Sequence, residues 1–469
     1  MSVTTFVAIA LDLGTTSVKA ALLDQNGILS NIVTSPSASM SSHDGYYESD
    51  ALAYVAIAEQ VLNACRAQAG SCINLGLCSQ RSSFLLWEKS TGKPVTPLIS
   101  WQDNRGAASC DALREHEQLI RQQTGLPLTP YYLAPKLHGL LQDQPEWRAH
   151  LECGDWLAGT LDTFLIWRWS SGRYFVTDAS MAARTLLMDI HTQQWSAVLC
   201  ELFGVPVQAL PDIQSSAGLQ LQLNNGLVLQ ANVADQSAVL LASMRDGESA
   251  AFINLGTGCF VIRPVSDSTM EPGGYLKTLV YQDSAQCAHF ALEGTLNSIA
   301  AALEPYPFEQ CRITDLAQDD IFCLAEPSGL GAPYFRGDIK IHFSRSVAHL
   351  APQRIAALLL EAVVFRLALI VADFHRISPL TRVYLSGGLS GLASLQQGIA
   401  QCVSCDIYRM EQLEASLQGA ALLAAGTTSV THPEMKKIQL IGQGSALREK
   451  WMRWQLWLAE VLQSFSDVA

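Results

Sequence analysis

Short runs of hydrophobic residues, separated by glycine turns, open the chain. The run from Thr5 to Leu13 ends at Gly14, and a second run from Ser17 to Leu23 leads into the turn residues Asp24 to Gly27. A third apolar run, from Ile28 to Thr34, follows. Runs of β-forming residues bounded by Gly, Asn and Asp are typical of strands. The pattern therefore predicts a β-hairpin with a third strand after it.

The same pattern returns about half a chain later. Residues Ala251 to Ile262 again suggest a strand, a Gly-Thr turn at Gly256 and a second strand. An internal repeat of about half the chain length predicts two similar domains, each opening with its own hairpin. Charge and glycine interrupt the apolar runs from Arg245 to Glu248. We therefore expect one domain over residues 1–245 and another over residues 246–469.

Helical spacing of apolar residues marks several later segments. In the last of them, Trp451, Trp454 and Trp457 form a stripe, which is typical of packing or of an oligomer contact. We treat that stripe as a candidate homodimer contact. The predicted helices cover Ala51 to Ala67, Gly154 to Trp169, Thr295 to Leu303, Ala351 to Phe374 and Ala446 to Phe465.

The composition is that of a large folded chain. Of the 469 residues, 49% are hydrophobic and 16% charged, which allows a large core and two or three domains and excludes a disordered chain. The 30 basic and 43 acidic side chains give a net charge of −13, the wrong sign for binding nucleic acid through its phosphates. An anionic substrate must therefore be held locally.

We expect no membrane span. The most apolar long stretch, Ala356 to Phe374, contains Glu361, Arg366 and Asp373, which predict the polar face of a helix. The first residues show no basic region ahead of a cleavage site, and the 12 scattered cysteines suit a reducing compartment. A cytoplasmic protein is the expectation.

The turn of the first hairpin contains the first candidate chemistry. Backbone N–H groups at Gly14 and the hydroxyls of Thr15, Thr16 and Ser17 are suited to a polyphosphate. Asp12, at the end of the strand, is suited to a hydrated Mg²⁺. The alternative is an ordinary hairpin with polar turn residues.

The second hairpin favours the phosphate interpretation. Gly256, Thr257 and Gly258 repeat the Gly-Thr turn, whereas Asn254 replaces the carboxylate. One hairpin would then hold the metal, and both would hold phosphate.

Asp235 stands where the strand-like run Leu227 to Val233 gives way to a helix. The simpler interpretation is a helix N-cap, which contributes about 1 kcal/mol. The functional interpretation is a general base toward a hydroxyl, placed at a strand end close to the junction of the halves. Spacing alone favours the cap, and the two roles are compatible.

Three segments combine polar and aromatic residues in a way that suits a sugar. The CH faces of a sugar stack on aromatic rings, and its hydroxyls need directional partners. Each segment alone could equally be a surface loop, so only the combination argues for a sugar pocket. The segments are Ser79 to Ser82, Ser100 to Arg105 and Pro130 to Tyr132, and they contain Arg81, Ser82, Trp101, Asp103 and Tyr131.

Taken in order, these motifs resemble the FGGY carbohydrate kinases, a family that includes glycerol kinase, xylulokinase and gluconokinase. The resemblance implies an α/β fold of two ribonuclease-H-like, actin-like ATPase domains with a cleft between them. It also implies ATP-dependent phosphorylation of a sugar or polyol hydroxyl. The motifs are Asp12-Leu-Gly-Thr-Thr16, Gln80-Arg81, Trp101-Gln-Asp103, Thr177-Asp-Ala-Ser180, Ala234-Asp-Gln236, Gly256-Thr-Gly258, Gly329-Leu-Gly-Ala-Pro333, Gly387-Gly388 and Gly419-Ala-Ala421.

The resemblance also implies a role for each matching position. Asp235 would be the catalytic base that accepts the hydroxyl proton, and Asp12 would organise Mg²⁺. The phosphates would be surrounded by Gly14, Thr15, Thr16, Ser17, Gly256 and Thr257, with Gly387 and Gly388 beside the nucleoside. The substrate positions would be Arg81, Ser82, Trp101, Asp103, Tyr131, Gln236 and Phe260.

Departures from the family pattern concern the substrate more than the reaction. Where glycerol kinases carry Gln-Arg-Glu-Thr, this chain has Gln80-Arg-Ser-Ser83, so the carboxylate that binds two glycerol hydroxyls is absent. Leu392 stands where the family often has an Asn that faces the nucleotide. We therefore expect a ketose or polyol of four or five carbons as the acceptor. The alternatives are glycerol itself, or an actin-like ATPase with a sensing or regulatory role and no small-molecule acceptor.

Overall fold

Strands and helices alternate along the chain, which this computed structural model describes over residues 5–243, 248–256, 258–265, 273–410, 414–426, 435–441 and 445–466. The early strands are β1 (Phe6–Leu13), β2 (Ser17–Asp24), β3 (Leu29–Pro36), β4 (Met40–His43), β5 (Tyr46–Ser49), β6 (Asn74–Ser79), β7 (Phe84–Glu88), β8 (Leu98–Ile99), β9 (Trp156–Thr160), β10 (Val176–Asp178), β11 (Met188–Asp189), β12 (Gln194–Trp195), β13 (Asp212–Gln214), β14 (Ala217–Gln222) and β15 (Val228–Ala234). The early helices are α1 (Ala51–Arg66), α2 (Ala107–Ala112), α3 (Glu117–Thr124), α4 (Leu133–Asp143), α5 (Glu146–Glu152), α6 (Leu161–Trp169), α7 (Ala179–Ala182), α8 (Ala197–Leu202) and α9 (Asp235–Ser243).

The later elements follow the second hairpin. The strands are β16 (Ala250–Leu255), β17 (Cys259–Val265), β18 (Leu276–Gln282), β19 (Ala288–Leu296), β20 (Cys323–Leu324), β21 (His342–Phe343), β22 (Arg382–Ser386), β23 (Asp406–Met410) and β24 (Met435–Lys437). The helices are α10 (Ile299–Leu303), α11 (Pro352–Ile377), α12 (Ala393–Cys402), α13 (Ala415–Ala425) and α14 (Ser445–Ser466).

The first large sheet has the strand order β14-β15-β6-β1-β2-β3. β1 and β2 form the predicted antiparallel hairpin, and β3 continues it. β1 pairs parallel with β6, and β6 pairs parallel with β15. Because these three strands run the same way, their carboxyl ends lie at one edge of the sheet.

Glycines let helix α13 approach this sheet closely. A Cβ at Gly76 of β6 would lie 2.1 Å from the carbonyl oxygen of Ala420, and one at Gly419 would lie 1.9 Å from that of Ala238 in α9. Both distances are far inside van der Waals contact, so neither position accommodates a side chain. Ala8 and Ala10 of β1 belong to the same core as α13, whereas Ile9 and Leu11 pack with α1 on the other face.

The second large sheet, of order β18-β19-β17-β16-β22-β23-β24, repeats the pairing of the first. β16 pairs antiparallel with β17 and parallel with β22, as β1 does with β2 and β6. Asn254 is the next-to-last residue of β16, and Asp12 is the next-to-last residue of β1. The strand pairing therefore confirms the internal repeat and its replacement of Asp by Asn.

The chain divides into two compact units. The first comprises Met1–Met244, Thr278–Phe290 and Leu413–His432, and the second comprises Arg245–Lys277, Ala291–Gln412 and Pro433–Ala469. The segment that contains α13 thus belongs with the first unit. The limits 1–245 and 246–469 stay a prediction, and residues 245–247 of the predicted junction lie outside the described residues.

Helix α11 is long and apolar enough to cross a membrane by length and composition alone, but 83% of its most apolar window is buried in the structure. Core helices have the same composition, so the burial accounts for it. The predicted polar face is wrong, because Glu361 and Arg366 are buried. Arg366 Nε lies 2.9 Å from Glu326 Oε1, and Lys450 Nζ lies 2.5 Å from Glu361 Oε2. Such pairing is what a buried charge requires.

The tryptophan stripe of α14 packs within the second unit. Trp454 is fully buried and donates its indole N–H to the carbonyl of Cys323 at 2.9 Å. Trp451 donates to the carbonyl of Phe365 at 3.2 Å, and Trp457 stacks on His342 with ring centroids 5.8 Å apart. The stripe therefore packs within the second unit, and a homodimer contact through the half-buried Trp451 and Trp457 stays a prediction.

Two helix predictions need correction at their first residues. The segment Gly154 to Trp169 begins with strand β9, which pairs antiparallel with β7, and becomes helical only at Leu161. Likewise β19 runs to Leu296, so helix α10 starts at Ile299 and not at Thr295.

Candidate active site

Two carboxylates lie at the carboxyl edge of the first sheet. Asp12 in β1 is level with Cys78 in β6, which is level with Val233 in β15. Asp235 follows the end of β15 as the first residue of α9. Two strand spacings separate β1 from β15, so the backbones of these two strands lie roughly 10 Å apart. Two acidic residues far apart in sequence thus lie at the same edge of the sheet.

One carboxylate oxygen of Asp12 accepts a hydrogen bond from the described residues, and the other does not. The Ser416 hydroxyl of α13 donates to Oδ2 at 2.7 Å, whereas Oδ1 is buried and accepts no hydrogen bond from the described residues. Burial raises the pKa of Asp12 to about 6; the Ser416 hydroxyl opposes the rise, and the charge of Asp235 adds to it. A buried carboxylate oxygen without a donor fits a hard cation such as Mg²⁺.

Asp235 is partly open to solvent and lies beside a buried arginine. Its side chain is 29% exposed, and Oδ1 lies 3.8 Å from Arg81 Nε, a buried atom that makes no hydrogen bond to the described residues. The backbone N–H of Gln236 donates to the same Oδ1 at 2.7 Å. Burial raises the pKa of Asp235, while the charges of Arg81 and Arg184 oppose the rise. A reachable carboxylate of raised pKa is suited to accepting a proton.

The hairpin turn after Asp12 is built tightly around Gly14. The Gly14 amide donates to the carbonyl of Ser17 at 3.1 Å, and a Cβ at Gly14 would lie 2.8 Å from that oxygen. The Tyr54 hydroxyl fixes the turn by donating to the Gly14 carbonyl at 2.6 Å. Thr16 is exposed, and Ser17 and Thr15 are half-buried. The turn is thus fixed in shape and partly open to solvent.

Thr15 links this turn to the predicted sugar residues. Its hydroxyl donates to Gln80 Oε1 at 3.1 Å and accepts the indole N–H of Trp101 at 2.9 Å. Ser83 donates to the same Gln80 oxygen at 3.0 Å and accepts the backbone N–H of Trp101 at 3.0 Å. The Thr15 side chain therefore orients Trp101, although the sequence suggested that it would face a phosphate.

Aromatic and polar residues continue from Trp101. Its ring lies 5.5 Å from that of Tyr131, tilted by 52°. Ser82 is buried, has a left-handed backbone conformation with φ of 62°, and donates its hydroxyl to the carbonyl of Arg184 at 2.9 Å. Contacts thus lead from Asp235 through the Arg81 segment and Thr15 to the Trp101 and Tyr131 rings.

Asp103 has a different environment from the one expected of a substrate ligand. Its side chain is fully buried, and its oxygens accept the backbone N–H groups of Tyr47 at 2.7 Å and Arg105 at 3.0 Å. The Arg105 guanidinium donates to both oxygens, at 2.8 and 2.9 Å, and these donors lower the pKa of Asp103. The carboxylate therefore holds its loop, which argues against the predicted contact with substrate.

The remaining predicted residues lie in the second unit. The Gly256 amide donates to the Gly258 carbonyl at 2.9 Å, which closes the second hairpin turn. Phe260 is half-buried in β17, level with Asn254 in β16. Thr257 lies outside the described residues.

Gly387 and Gly388 follow strand β22. Gly387 has φ of 86°, and a Cβ there would lie 2.4 Å from Asn254 Oδ1 and 2.5 Å from the carbonyl oxygen of Leu255. Gly388 begins a 3-10 turn that ends at Gly391, and a Cβ there would meet nothing within 4 Å. The first glycine is thus required by the fold, whereas the second leaves open space.

Two family models together cover most of the chain. Residues 7–252 match the N-terminal domain and residues 251–427 the C-terminal domain of the FGGY family of carbohydrate kinases. The chain belongs to the FGGY family of carbohydrate kinases. The family makes this kinase a phosphotransferase whose acceptor is an alcohol group, and it implies the use of ATP.

Similar proteins include several glycerol kinases. Glycerol kinase 2 of Streptomyces coelicolor is 30% identical over 450 residues, covering 89% of this chain and 88% of that protein. Glycerol kinase of Aromatoleum aromaticum is 31% identical over 444 residues, covering 89% of each. The solved structure of Plasmodium falciparum glycerol kinase with ADP has a TM-score of 0.84 at 21% identity, covering 97% of this chain and 98% of that one. That likeness confirms the predicted two-domain, actin-like fold.

Two residues of this FGGY kinase site escaped the sequence analysis. Gln80 stands in a sequence motif that gives it no role of its own, yet its buried amide oxygen joins Thr15 to Ser83. Ser416 received no role, because nothing local shows that it contacts a residue of β1. Its position three residues before the Gly419-Ala-Ala421 motif was the available signal, since small residues in a helix permit the close approach seen for α13.

Proposed function

We propose that this FGGY kinase transfers the γ-phosphate of ATP to a hydroxyl of an open-chain polyol or ketose of four or five carbons, with Asp235 as the general base. The observation that carries the proposal is the Asp235 carboxylate. It is 29% exposed, its pKa is raised by burial, and it lies 3.8 Å from Arg81 Nε. A carboxylate so placed accepts the hydroxyl proton as the oxygen attacks phosphorus, and the nearby guanidinium limits how far its basicity rises.

Asp12 is proposed to organise Mg²⁺ through its unbonded Oδ1. When bound, the ion would neutralise charge on the transferred phosphate. With a net charge of −13, the chain has no general basic field to do so. The backbone of the Gly14 turn, together with Thr16 and Ser17, is proposed to contact phosphate, as are Gly256 and Thr257, with Gly387 and Gly388 beside the nucleoside.

The acceptor is proposed to contact Arg81, Trp101, Tyr131, Gln236 and Phe260. The glycerol-binding carboxylate of glycerol kinases is replaced by Ser82, whose hydroxyl is used by the Arg184 carbonyl. Losing a hydroxyl partner in a buried site costs about 1 to 3 kcal/mol, or roughly 5- to 150-fold in discrimination. This difference supports a longer acceptor than glycerol.

Glycerol is the second candidate. The similar curated proteins of 30% and 31% identity are themselves named glycerol kinases. If other residues replace the missing carboxylate, glycerol would be the preferred acceptor.

A coupled ADP-release assay with ATP and Mg²⁺ tests these proposals. The acceptors are glycerol, erythritol, erythrulose, xylulose, ribulose and gluconate. We expect the highest kcat/KM with a four- or five-carbon polyol or ketose, at least tenfold above glycerol. Glycerol as the best acceptor would overturn the size assignment, and ADP release independent of every acceptor would favour a regulatory ATPase. We further propose a cytoplasmic enzyme, which the 12 free cysteines support.

A further inference from the structure

A cluster of metal-ligating groups spans the last turn of α5 and the loop after it, and it shares no residue with the candidate active site. One ligand atom each from His150, Cys153 and Asp155 lies within 4.8 Å of the other two, and all three residues are exposed. His150 Nδ1 lies 3.7 Å from Asp155 Oδ2. Ligand atoms around a tetrahedral Zn²⁺ lie roughly 3.5 Å apart. Side-chain rotations that move the ligand atoms by about 1 Å would therefore bring these three to that spacing.

The backbone already brings these residues together. The Asp155 amide donates to the His150 carbonyl at 3.0 Å, which closes a short loop in which Gly154 has φ of 77°. The next residue, Trp156, begins β9 and stacks on the His150 ring with centroids 4.5 Å apart and an interplanar angle of 17°. Stacking restricts the imidazole, and the backbone hydrogen bond restricts the backbone position of Asp155, which lowers the entropy cost of ligation.

A second cluster of the same residue types provides the contrast. In the segment Asp283 to His289, Asp283 Oδ2 lies 3.1 Å from His289 Nε2, and Oδ1 accepts the backbone N–H groups of Ala285 and Cys287 at 2.9 Å each. His289 also stacks on Tyr281. The carboxylate oxygens of Asp283 and the Nε2 atom of His289 are thus already engaged in hydrogen bonds. In the first cluster, by comparison, the Cys153 thiol donates only a long 3.5 Å hydrogen bond to the His150 carbonyl, and Asp155 Oδ2 lies 3.7 Å from His150 Nδ1.

We propose that His150, Cys153 and Asp155 bind a borderline divalent cation, with Zn²⁺ as the preferred ion. The donor set of imidazole nitrogen, thiolate sulfur and carboxylate oxygen matches zinc and is poorly suited to Mg²⁺. On binding, the Cys153 S–H bond breaks, a S–Zn bond forms and the proton goes to solvent. The two anionic ligands then balance the ion's charge.

The cluster borders a groove. A cavity of about 570 Å³ is lined by His150, Gly154, Asp155 and Trp156 together with Glu88, Lys89 and Ser90. Three protein ligands with one open position are the arrangement of an exchangeable zinc site, in which water completes the tetrahedron. The site is therefore one that takes up and releases the ion, since all three ligands reach solvent.

Cobalt titration of the metal-stripped full-length protein tests the site. We expect one Co²⁺ per chain with a thiolate-to-metal charge-transfer band, and displacement of that band by one equivalent of Zn²⁺. Cys153→Ser should abolish the band and weaken Zn²⁺ binding at least tenfold, whereas Cys287→Ser, at the other exposed cysteine of the described chain, should leave both unchanged.

Two further variants decide whether the cluster acts as a unit. His150→Asn and Asp155→Asn should each weaken Zn²⁺ binding roughly tenfold while thermal unfolding of the metal-free protein stays within the wild-type range. An unchanged band in Cys153→Ser, or Zn²⁺ affinity unaffected by both other variants, would overturn the proposal and leave only adventitious thiol binding.

Discussion

The hydroxyl of Ser416 donates a 2.7 Å hydrogen bond to the carboxylate of Asp12, across 404 positions of sequence. A second contact reinforces it, because Glu414 accepts from Lys19 Nζ with both carboxylate oxygens, at 2.8 and 2.9 Å. Lys19 is level with Asp12 in the neighbouring strand β2. The start of α13 is thus fixed to both strands of the first hairpin, beside the proposed metal carboxylate.

Ser416→Ala should weaken Mg²⁺ binding specifically. Without the donor, the Asp12 carboxylate is free to rotate, and a hydrogen bond to a charged group contributes about 1.5 to 3 kcal/mol. We expect the Mg²⁺ concentration for half-maximal rate to rise roughly tenfold, with the acceptor KM unchanged. Ser416→Thr keeps the hydroxyl and serves as the control. An unchanged Mg²⁺ dependence in Ser416→Ala would contradict this role.

The Trp101–Thr15 hydrogen bond should couple the acceptor pocket to the hairpin turn. Trp101→Phe keeps a ring beside Tyr131 but removes the donor, so we expect the acceptor KM to rise several-fold, or by about 1 kcal/mol. Thr15→Val removes the other partner. In a double-mutant cycle on kcat/KM, the double variant should lose little more than the larger single loss. Fully additive losses would show that this hydrogen bond is unimportant.

Gly387→Ala should destabilise the second unit, and Gly388→Ala should not. The Cβ at position 387 would lie 2.4 Å from Asn254 Oδ1 and would require a left-handed conformation, whereas the one at 388 would meet nothing within 4 Å. We expect a loss of about 1 to 3 kcal/mol in the free energy of unfolding for the first variant, measured by urea denaturation. ADP affinity, measured by calorimetry, should fall with it. Equal stability of the two variants would refute this assignment.

Lys136 should make stability depend on pH above neutrality. It is fully buried in α4, and Nζ donates to the carbonyl of Ser100 at 2.7 Å. Burial lowers its pKa from 10.5 to about 7. Between these values the unfolded chain binds more protons than the folded one, so stability rises with pH from about 7 to 10, by up to about 1.4 kcal/mol per pH unit.

Lys136→Met removes this group and should flatten that rise. Urea unfolding at pH 7, 8 and 9 measures the difference between the variant and the wild type. A wild-type slope that survives in Lys136→Met would mean that other groups cause it.

Local patterns predicted the elements whose residues determine their own conformation. α1 was expected from Ala51 to Ala67 and runs from Ala51 to Arg66, because Asp50 caps it by accepting the N–H groups of Leu52 and Ala53. Both hairpins were also predictable from local sequence, because glycine permits their tight turns. The order of motifs was enough to indicate the family and hence the fold.

Contacts between distant segments were beyond the sequence. The apolar spacing of β9 predicts a helix. Its residues Gly159 and Leu157 pair instead with Leu85 and Trp87 of β7, and this pairing overrides the helical spacing. Asp103 was expected to face substrate, yet Arg105 and the Tyr47 amide occupy its oxygens. A sequence shows that a carboxylate is present, and only the fold shows which donors already satisfy it.

Asp235→Asn tests the central claim most directly. The amide keeps the size of the side chain but cannot accept the hydroxyl proton, and a general base contributes typically 10² to 10⁴ in rate. With the best acceptor from the ADP-release assay, we expect kcat to fall by at least about 100-fold while ADP affinity, measured by calorimetry, stays within about twofold of wild type. Near-wild-type turnover by Asp235→Asn would contradict the account.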